Sequence, residues 1–391
     1  MRVLLVNDYA NPGGGAEIQM QLLRTALRER GHDVRLFASA AGNPPPGAAD
    51  DLCFGTTTAL RTPLQAANPS ALLRLRQVLA AFRPDVVHVR LFLTQLSPLI
   101  LPLLRRVPSI WHVAWYAAVC PRGTLVAPDG RDCDHRAGVG CLRQGCVSAR
   151  AWGPAMVQLA LVRRGLGAFT RIVTLSESAR ARLADAGLEV TTVMRNGVAE
   201  RPARPPLTGP PTIAYAGRLV VEKGADLLLR AFSELGPDTR LLIAGDGPER
   251  PRIEALAREL GIAGRVELAG ALDARALERR LSGAWIHAMP GRWVEPFGNA
   301  GAEALMRGTA LVASAPGGAA ELVLESGGGA VVPRGEVAAL AATLGEWLGD
   351  RDRCERAGAR GREWALANLR LEDHVARVES LYREVVAEAA R

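Results

Sequence analysis

Short apolar β-type runs alternate with amphipathic helical patterns along the chain, and this alternation constrains the fold more than any other feature. In the first half, runs such as Val3–Val6 and Val86–Val89 alternate with helical patterns such as Glu17–Glu29. The predicted strands of this half are Val3–Val6, Val34–Ala38, Val86–Val89, Ser109–Val113 and Ile172–Leu175. Strands that follow one another through a crossover helix run parallel in the same sheet. The sequence therefore predicts an α/β fold with a doubly wound parallel sheet.

A proline-rich stretch at residues 201–211 interrupts this pattern, which then restarts with the strand-like run Thr212–Ala216. Proline-rich segments are stiff spacers between domains. We predict an N-terminal Rossmann-like domain, a linker, a C-terminal Rossmann-like domain and a terminal helix at residues 1–203, 204–211, 212–370 and 371–391, respectively. The terminal helix is amphipathic, and we expect it to pack back on the N-terminal domain. Because α/β sheets bind ligands at the carboxyl ends of their strands, the cleft between the two domains is the predicted site.

Charge is unevenly distributed, since residues 1–205 carry a net charge of +11 and residues 206–391 a net charge of −3. A basic surface favours an anionic substrate, acidic lipid head groups or nucleic acid. No zinc-finger spacing, RNP-like aromatic motif or basic groove-binding helix accompanies it, so we expect no nucleic-acid partner. The longest apolar stretch, residues 91–104, is too short to cross a bilayer, and the opening residues alternate directly into a strand-like run, so we expect neither a transmembrane helix nor an export signal. We expect a cytoplasmic protein, with peripheral contact at the inner membrane face as one use of the basic domain.

Two loops carry groups that suit phosphate. Gly14 and Gly15 lie in a glycine-rich turn before a helix, where free backbone N–H groups and the positive helix end attract anions, although a turn without a ligand would look similar. Arg218 follows a predicted strand, and Lys223 is the only lysine beside 47 arginines. One retained lysine favours a compact ammonium at that position, although chance in an arginine-rich composition is the alternative. Arg218 and Lys223 together predict a diphosphate clamp.

A third loop carries two carboxylates. Glu295 precedes a Pro-Phe-Gly turn that leads into a helix containing Glu303. Their separation of up to ~12 Å suits two parts of an extended ligand. The backbone N–H groups of Phe297, Gly298 and Asn299 are unpaired donors at the start of that helix. An acid that complements the helix dipole would explain Glu295 but not Glu303.

Glu295 and Glu303 resemble the E-x7-E signature of retaining glycosyltransferases of family 4. Further motifs match this family in order and spacing along nearly the whole chain, at residues 14–17, 31–34, 176–178, 196–198, 217–218, 245–249, 295–298 and 316–318. The resemblance implies the GT-B fold, in which two Rossmann-like domains face each other across a cleft. It also implies catalysis without a metal ion, by front-face displacement in which the leaving phosphate takes the acceptor's proton.

The resemblance implies roles for the residues of the first two loops. Gly14 and Gly15 would approach the phosphates or the sugar of the donor from the N-terminal domain. Arg218 and Lys223 would neutralise the nucleoside diphosphate as it leaves.

It implies roles for the third loop as well. Glu295 would hydrogen-bond the hydroxyls of the transferred sugar with help from the N–H groups of residues 297–299, and Glu303 would hold the ribose. His112 matches a family histidine that faces the donor sugar, although Val113 stands where family members often have aspartate.

Four cysteines, Cys120, Cys133, Cys141 and Cys146, fall within 27 residues. In a cytoplasmic protein such a cluster binds metal more often than it forms disulfides, but intervals of 12, 7 and 4 residues differ from paired C-x2-C knuckles. We expect a Cys-rich insert near residues 116–150 that shapes the acceptor pocket. Structural zinc, two disulfides, and free thiols or an iron–sulfur cluster are the alternatives.

The sequence thus predicts a glycosyltransferase that moves a sugar from a nucleoside diphosphate donor, UDP-linked rather than GDP-linked, to a natural product, lipid or glycan. A nucleotide-sugar 2-epimerase is an alternative, because it can share the two-domain fold. A catalytically silent sugar-nucleotide-binding subunit is another, although intact Glu295, Arg218 and Lys223 argue against it.

Overall fold

The computed structural model describes residues 1–11 and 13–390, so that Pro12 and Arg391 lie outside the described residues. Two sheets form two domains, and every strand pair in both sheets is parallel. This architecture confirms the predicted doubly wound α/β fold. Among the described residues, no helix combines the length and the apolar content that a membrane span requires.

The N-terminal sheet has seven strands in the order β3-β2-β1-β4-β5-β6-β7. These strands are β1 (Arg2–Tyr9), β2 (Asp33–Ser39), β3 (Asp51–Cys53), β4 (Val86–Val89), β5 (Ser109–Val113), β6 (Arg171–Thr174) and β7 (Thr192–Val193). The helices of this domain are α1 (Gly15–Glu29), α2 (Arg61–Ala66), α3 (Pro69–Phe82), α4 (Leu101–Leu104), α5 (Val139–Arg143), α6 (Ala149–Gly165) and α7 (Glu177–Asp185). The strand order reverses between β1 and β4, which is the point where such sheets bind ligands.

The C-terminal sheet has six strands in the order β10-β9-β8-β11-β12-β13. They are β8 (Thr212–Ala216), β9 (Arg240–Ala244), β10 (Val266–Gly270), β11 (Ile286–Met289), β12 (Ala310–Ala315) and β13 (Gly329–Pro333). The remaining helices are α8 (Ala225–Ser233), α9 (Arg250–Glu259), α10 (Ala274–Leu281), α11 (Asn299–Arg307), α12 (Gly318–Ser326), α13 (Val337–Leu348), α14 (Arg351–Asn368) and α15 (Leu371–Ala389). Here the order reverses between β8 and β11.

Both faces of the N-terminal sheet are buried, as the side chains of β1 show. Leu4 and Val6 enter one hydrophobic core, whereas Val3 and Leu5 enter another on the opposite face. Alternation of side chains along a strand sends neighbouring residues to opposite faces. A continuous apolar run is therefore what a strand covered on both faces requires.

The chain crosses between the domains twice. The linker after β7 contains Arg204, whose guanidinium bonds Glu355 of α14 at 2.6 Å and the Gly308 carbonyl at 2.7 Å. The second crossing follows α14, where Val198 pairs with Arg370 in an isolated bridge. Helix α15 then buries its apolar side against α1 and the N-terminal sheet, in a core that includes Val375 and Tyr382.

Candidate active site

The predicted site residues lie on loops at the carboxyl ends of strands in both sheets. Gly15 begins α1 and Asn299 begins α11, and these two helix starts face each other across the cleft. A Cβ atom placed on Gly15 would lie 2.5 Å from Asn299 Nδ2, so a side chain at this position would require the Asn299 amide to shift. The two domains therefore meet at the groups predicted to surround the donor phosphates.

Lys223 and Glu295 form the central ion pair of the C-terminal loops. Lys223 Nζ lies 2.5 Å from Glu295 Oε2, and the side chains retain 22% and 15% of their exposure. The Trp293 indole N–H donates to the same carboxylate oxygen at 2.9 Å. The structure thus brings together two of the residues singled out in the sequence and adds a third that the sequence analysis gave no role.

The loop that carries Glu295 is built against the turn before α12. The Gly318 N–H donates to the Glu295 carbonyl oxygen at 2.7 Å, and a Cβ on Gly318 would lie 2.7 Å from Phe297 Cα. Gly298, at φ 90°, adopts the left-handed conformation that starts α11 at Asn299. The first N–H groups of α11 have no partners within that helix, which makes its start a place for a ligand's oxygen atoms.

Glu303 lies inside α11 and is paired with Arg201, which lies just before the interdomain linker. Its Oε2 lies 3.2 Å from Arg201 Nη2, and Arg201 also contacts Glu278 of α10 at 3.2 Å. Glu278 in turn accepts two hydrogen bonds from the buried Arg307. The candidate ribose-binding carboxylate is therefore one end of a chain of alternating charges that includes Arg201.

Arg218 lies on the C-terminal side of the cleft, where its side chain is exposed. Its charge reaches Glu17, in the first turn of α1 on the opposite side of the cleft. Burial raises the pKa of the Glu17 carboxyl, and the positive charges of Arg218 and Arg90 oppose that rise. Arg218 thus lies close enough to the start of α1, which bears Gly14 and Gly15, to influence the Glu17 carboxyl.

Two N-terminal residues that organise this region were missed by the sequence analysis. Asp8 is buried at the end of β1 and accepts hydrogen bonds from the N–H groups of Thr94, Gln95 and Leu96 at 2.7–3.0 Å. Burial raises the pKa of Asp8, and these hydrogen bonds oppose the rise. An acid at the carboxyl end of an apolar strand was the signal available in the sequence.

The second missed residue is Arg90, which is buried after β4. Its Nη2 donates to Asn196 Oδ1 at 2.7 Å, and Asn196 Nδ2 donates to Asn299 Oδ1 at 2.9 Å. Burial lowers the pKa of Arg90 to about 10. These two hydrogen bonds link Arg90, which follows β4 of the N-terminal domain, to Asn299 at the start of α11.

His112 lies in the interior rather than on the cleft surface. Its ring stacks on His88 at 5.6 Å, and its Nε2–H donates to the Met194 carbonyl oxygen at 3.1 Å. Burial lowers the pKa of His112 well below its usual value, and the charge of Arg90 lowers it further. The structure therefore holds His112 as a neutral, hydrogen-bonded ring, and its predicted contact with the donor sugar stays a prediction.

The Cys-rich insert contacts the loop that precedes Glu295. The Tyr116 hydroxyl donates to the Val294 carbonyl oxygen at 2.7 Å. Arg334, which follows β13, binds Asp132 of the insert through two hydrogen bonds of 2.6 and 2.9 Å. The insert is therefore attached to the C-terminal domain beside residues 293–298, the loop that carries Glu295, which we call the donor loop.

The cysteines of the insert are free thiols in this structure, as are Cys53 and Cys354. Cys133 Sγ lies 3.5 Å from His135 Nδ1, and Cys141 Sγ lies 3.9 Å from His135 Nε2. Across the part of the chain that the structure describes, no group of three or more Cys, His, Asp or Glu is arranged to hold a metal ion. The insert thus offers no preformed metal site. Structural zinc at Cys120, Cys133, Cys141 and Cys146 stays a prediction that metal analysis of the purified protein tests.

Comparison with known families identifies the chain. Residues 13–201 match the family described as Glycosyltransferase Family 4, and residues 199–364 match the family described as Glycosyl transferases group 1. The chain belongs to glycosyltransferase family 4. The family membership inferred from the motifs is thereby confirmed, whereas the E-x7-E assignment of Glu295 and Glu303 stays a prediction.

One curated relative of this family 4 glycosyltransferase is a GDP-mannose-dependent alpha-(1-6)-phosphatidylinositol monomannoside mannosyltransferase from Mycolicibacterium smegmatis. The two are 36% identical over 180 residues, which are 44% of this chain and 47% of the relative. The match thus spans about half the length of that enzyme.

Two solved structures share the fold of the glycosyltransferase over nearly its whole length. Sucrose-phosphate synthase from Thermosynechococcus elongatus superposes with a TM-score of 0.77 at 22% identity and covers 99% of both chains. Anabaena HepE, solved with UDP and glucose, has a TM-score of 0.73 at 17% identity and covers 98% of this chain and 100% of its own. The expected GT-B architecture is confirmed.

For a glycosyltransferase, the observed grouping has a clear chemical sense. The cations Arg218 and Lys223 and the start of α11 suit phosphate oxygens, and the carboxylates of Glu295 and Glu303 suit hydroxyl groups. The individual roles of these residues stay predictions.

Proposed function

We propose that this glycosyltransferase moves a sugar from a nucleoside diphosphate to an acceptor with retention of the anomeric configuration. The observation that carries the proposal is the 2.5 Å pair of Lys223 and Glu295 at the carboxyl edge of the C-terminal sheet. A cation and an acid in contact between two neighbouring loops can bind different parts of one ligand, because phosphate favours the ammonium and sugar hydroxyls favour the carboxylate. The donor then lies with its phosphates toward Lys223 and its sugar toward Glu295.

Departure of the diphosphate is the step that these charges assist. When the bond between the anomeric carbon and the phosphate oxygen breaks, negative charge builds up on the leaving diphosphate. Lys223 and the exposed Arg218 would stabilise that charge in place. Two fixed cations can supply the stabilisation that a divalent ion gives elsewhere, so we propose catalysis without a metal.

Retention follows if the acceptor attacks from the face that the diphosphate leaves. The acceptor oxygen bonds to the anomeric carbon, and its proton passes to the leaving phosphate oxygen. Glu295 and Glu303 are each engaged by a cation, at 2.5 and 3.2 Å, which favours their use as hydrogen-bond acceptors over use as a nucleophile. NMR of the product tests this proposal, and an inverted configuration or a trapped glycosyl-enzyme would contradict it.

The donor nucleotide is the next question for experiment. We predict UDP over GDP as the donor nucleotide. HepE was solved with UDP, whereas the M. smegmatis relative is described as GDP-mannose-dependent. A thermal-shift panel of UDP, GDP and dTDP separates these cases, because a ligand that binds only the folded protein raises its melting temperature. The absence of a shift with any nucleoside diphosphate would contradict the proposal.

Replacement of Glu295 tests its role in sugar binding. Glu295→Gln preserves shape and removes the charge, and we expect transfer to fall about 100-fold or more. The matched control is Glu336→Gln, because Glu336 is exposed before α13. Equal activity of the two variants would contradict the assignment. Conversion of the donor sugar to an epimer without an acceptor would instead indicate the epimerase alternative.

We also propose a cytoplasmic location with peripheral contact between the N-terminal domain and acidic lipids. The net charge of +11 over residues 1–205 and the exposed side chains of Phe54 and Leu60 support this proposal. Flotation with acidic vesicles should recover the protein at low salt, and vesicles of neutral lipid serve as the control. Failure to float with acidic vesicles would contradict membrane contact.

A further inference from the structure

Trp293 contacts both charged groups of the proposed donor site. Its Nε1–H donates to Glu295 Oε2 at 2.9 Å, and the same oxygen accepts from Lys223 Nζ. The face of the indole lies beside the ammonium, with 4.8 Å between Lys223 Nζ and the ring centroid. One side chain therefore holds the acid through its edge and the cation through its face.

The indole is itself held by the N-terminal domain. The ring of Tyr116 packs edge-on against Trp293, with the centroids 6.1 Å apart and the ring planes at 86°. The Tyr116 hydroxyl donates to the carbonyl oxygen of the next residue, Val294, at 2.7 Å. Both aromatic side chains are buried in one core with Ala117, Val119 and other residues of the insert. The orientation of Trp293 thus depends on a segment from the opposite side of the cleft.

We infer that Trp293 is a positioning residue of the donor site and that Tyr116 fixes it in place. The inference rests on the proposed function, because it assumes that Lys223 faces the diphosphate and Glu295 the sugar. With Oε2 engaged by the indole, the Glu295 side chain keeps one orientation and can present Oε1 to a sugar hydroxyl. The ring face keeps the ammonium in place when a phosphate becomes its partner.

Removal of the Trp293 indole N–H and removal of its ring face are expected to have different effects on ligand binding. Loss of the N–H disturbs the carboxylate and therefore the sugar, whereas loss of the ring face disturbs the ammonium and therefore the diphosphate. A residue that only supported the fold would weaken the binding of both parts of the donor equally. The ratio of the dissociation constants of a nucleotide sugar and its nucleoside diphosphate separates these cases.

The experiment titrates UDP, UDP-glucose, GDP and GDP-mannose into the full chain by calorimetry. Trp293→Phe removes the N–H and keeps an aromatic face, so we expect about 10-fold weaker binding of the nucleotide sugar and less than about twofold change for the diphosphate. Trp293→Leu also removes the face and should weaken both. The matched control is Trp285→Phe, because the buried Nε1 of Trp285 has no partner among the described residues. Equal weakening of both ligands by Trp293→Phe, or no weakening, would overturn the inference.

Tyr116→Phe tests the contribution of the insert. It deletes only the hydroxyl that holds the Val294 carbonyl, so we expect a selective weakening of the nucleotide sugar by about threefold to fivefold. An unchanged ratio would remove Tyr116 from the inference. Failure of the unchanged protein to bind any of the four ligands or their dTDP counterparts would overturn the proposed function and this inference together. Binding by the unchanged protein with unaltered ratios in the Trp293 variants would overturn the inference alone.

Discussion

Lys223 contacts both the Glu295 carboxylate and the face of the Trp293 ring. Its Nζ is a small group with several donors in different directions, so it can contact Glu295, the Trp293 ring and a phosphate from one place. A guanidinium is planar and larger, and its donors form a fixed fork. We therefore expect the position of the only lysine of the chain to favour a compact ammonium over a guanidinium.

Lys223→Arg tests this requirement. The charge is preserved but the compact shape is lost, so we expect transfer to fall by about 10-fold or more, and Lys223→Gln to reduce it by about 100-fold or more. Arg230→Gln, which removes an exposed cation from α8, is the control for net charge. Steady-state kinetics with the donor found by thermal shift provide the measurement. Full activity of Lys223→Arg would show that charge alone suffices.

His287 predicts a pH dependence of stability. It is buried in β11, and neither ring nitrogen has a hydrogen-bond partner among the described residues. Burial lowers the pKa of His287 from 6.5 to about 3, so that the folded protein holds it neutral while the unfolded chain can protonate it. Between pH 6.5 and about 3 the unfolded chain binds this proton and the folded protein does not, so the free energy of unfolding falls as the pH decreases through that range.

The His287→Leu variant lacks this titrating group, so its unfolded chain binds one proton fewer at low pH. We expect the free energy of unfolding to depend less steeply on pH below pH 6.5, by up to about 1.4 kcal/mol per pH unit. At neutral pH the variant should be at least as stable, because a buried polar group without partners is replaced by an apolar one. Denaturant titrations at several pH values measure both effects, and an unchanged slope would contradict the prediction.

Elements and loops differ in how far the sequence predicts them. The predicted strands Val86–Val89, Ser109–Val113 and Thr212–Ala216 coincide with β4, β5 and β8, because a strand buried on both faces is a continuous apolar run. Strands β3 and β7 were not predicted. They have three and two residues, which is too short for any periodicity, and they form the edges of the sheet.

The candidate site shows the same division. The loops with Arg218, Lys223 and Glu295 each follow a predicted strand. The sequence therefore predicted that they lie on the same edge of the C-terminal sheet. The partners of these groups could not be predicted, because Arg201 meets Glu303 and Tyr116 meets Val294 only through the tertiary fold. A strand covered on both faces likewise gave no sign that His112 points into the interior.

Gly318 tests how closely the donor loop is fitted to the turn before α12. In Gly318→Ala, the new Cβ would lie 2.7–2.9 Å from backbone atoms of Phe297 and Pro296, so the loop must move. We expect a loss of about 1–3 kcal/mol in stability and weaker binding of the nucleotide sugar. The control is Gly283→Ala, because a Cβ at Gly283 would meet nothing within 4 Å. Identical melting temperatures and affinities of the two variants would contradict this fit.

At the scale of the whole molecule, ion pairs hold the two domains together beside the cleft. Arg334 binds Asp132 of the insert, and Glu321 of α12 accepts hydrogen bonds from the N–H groups of Glu177 and Ser178 at the start of α7. A carboxylate at a helix N-terminus is favourable because of the helix dipole. These contacts are partly exposed, so each contributes modestly and is weakened by salt.

The double variant Asp132→Asn, Glu321→Gln tests whether these contacts close the cleft. Without them, we expect a larger radius of gyration in small-angle X-ray scattering and little change in melting temperature. High salt should also increase the radius of gyration of the unchanged protein. The control is Glu177→Gln, because it preserves the backbone N–H of residue 177, which donates a hydrogen bond to Glu321. A scattering curve identical to that of the unchanged protein would show that other contacts determine the closed arrangement.

The return of α15 to the N-terminal domain determines the order in which the molecule can be completed. The C-terminal sheet uses a continuous stretch of chain, so it can fold as soon as that stretch has left the ribosome. The N-terminal core lacks Val375, Val378 and Tyr382 until α15 has been synthesised. The half that is made first is therefore finished last, and until then an apolar face of α1 and β1 remains open to chaperones or to aggregation.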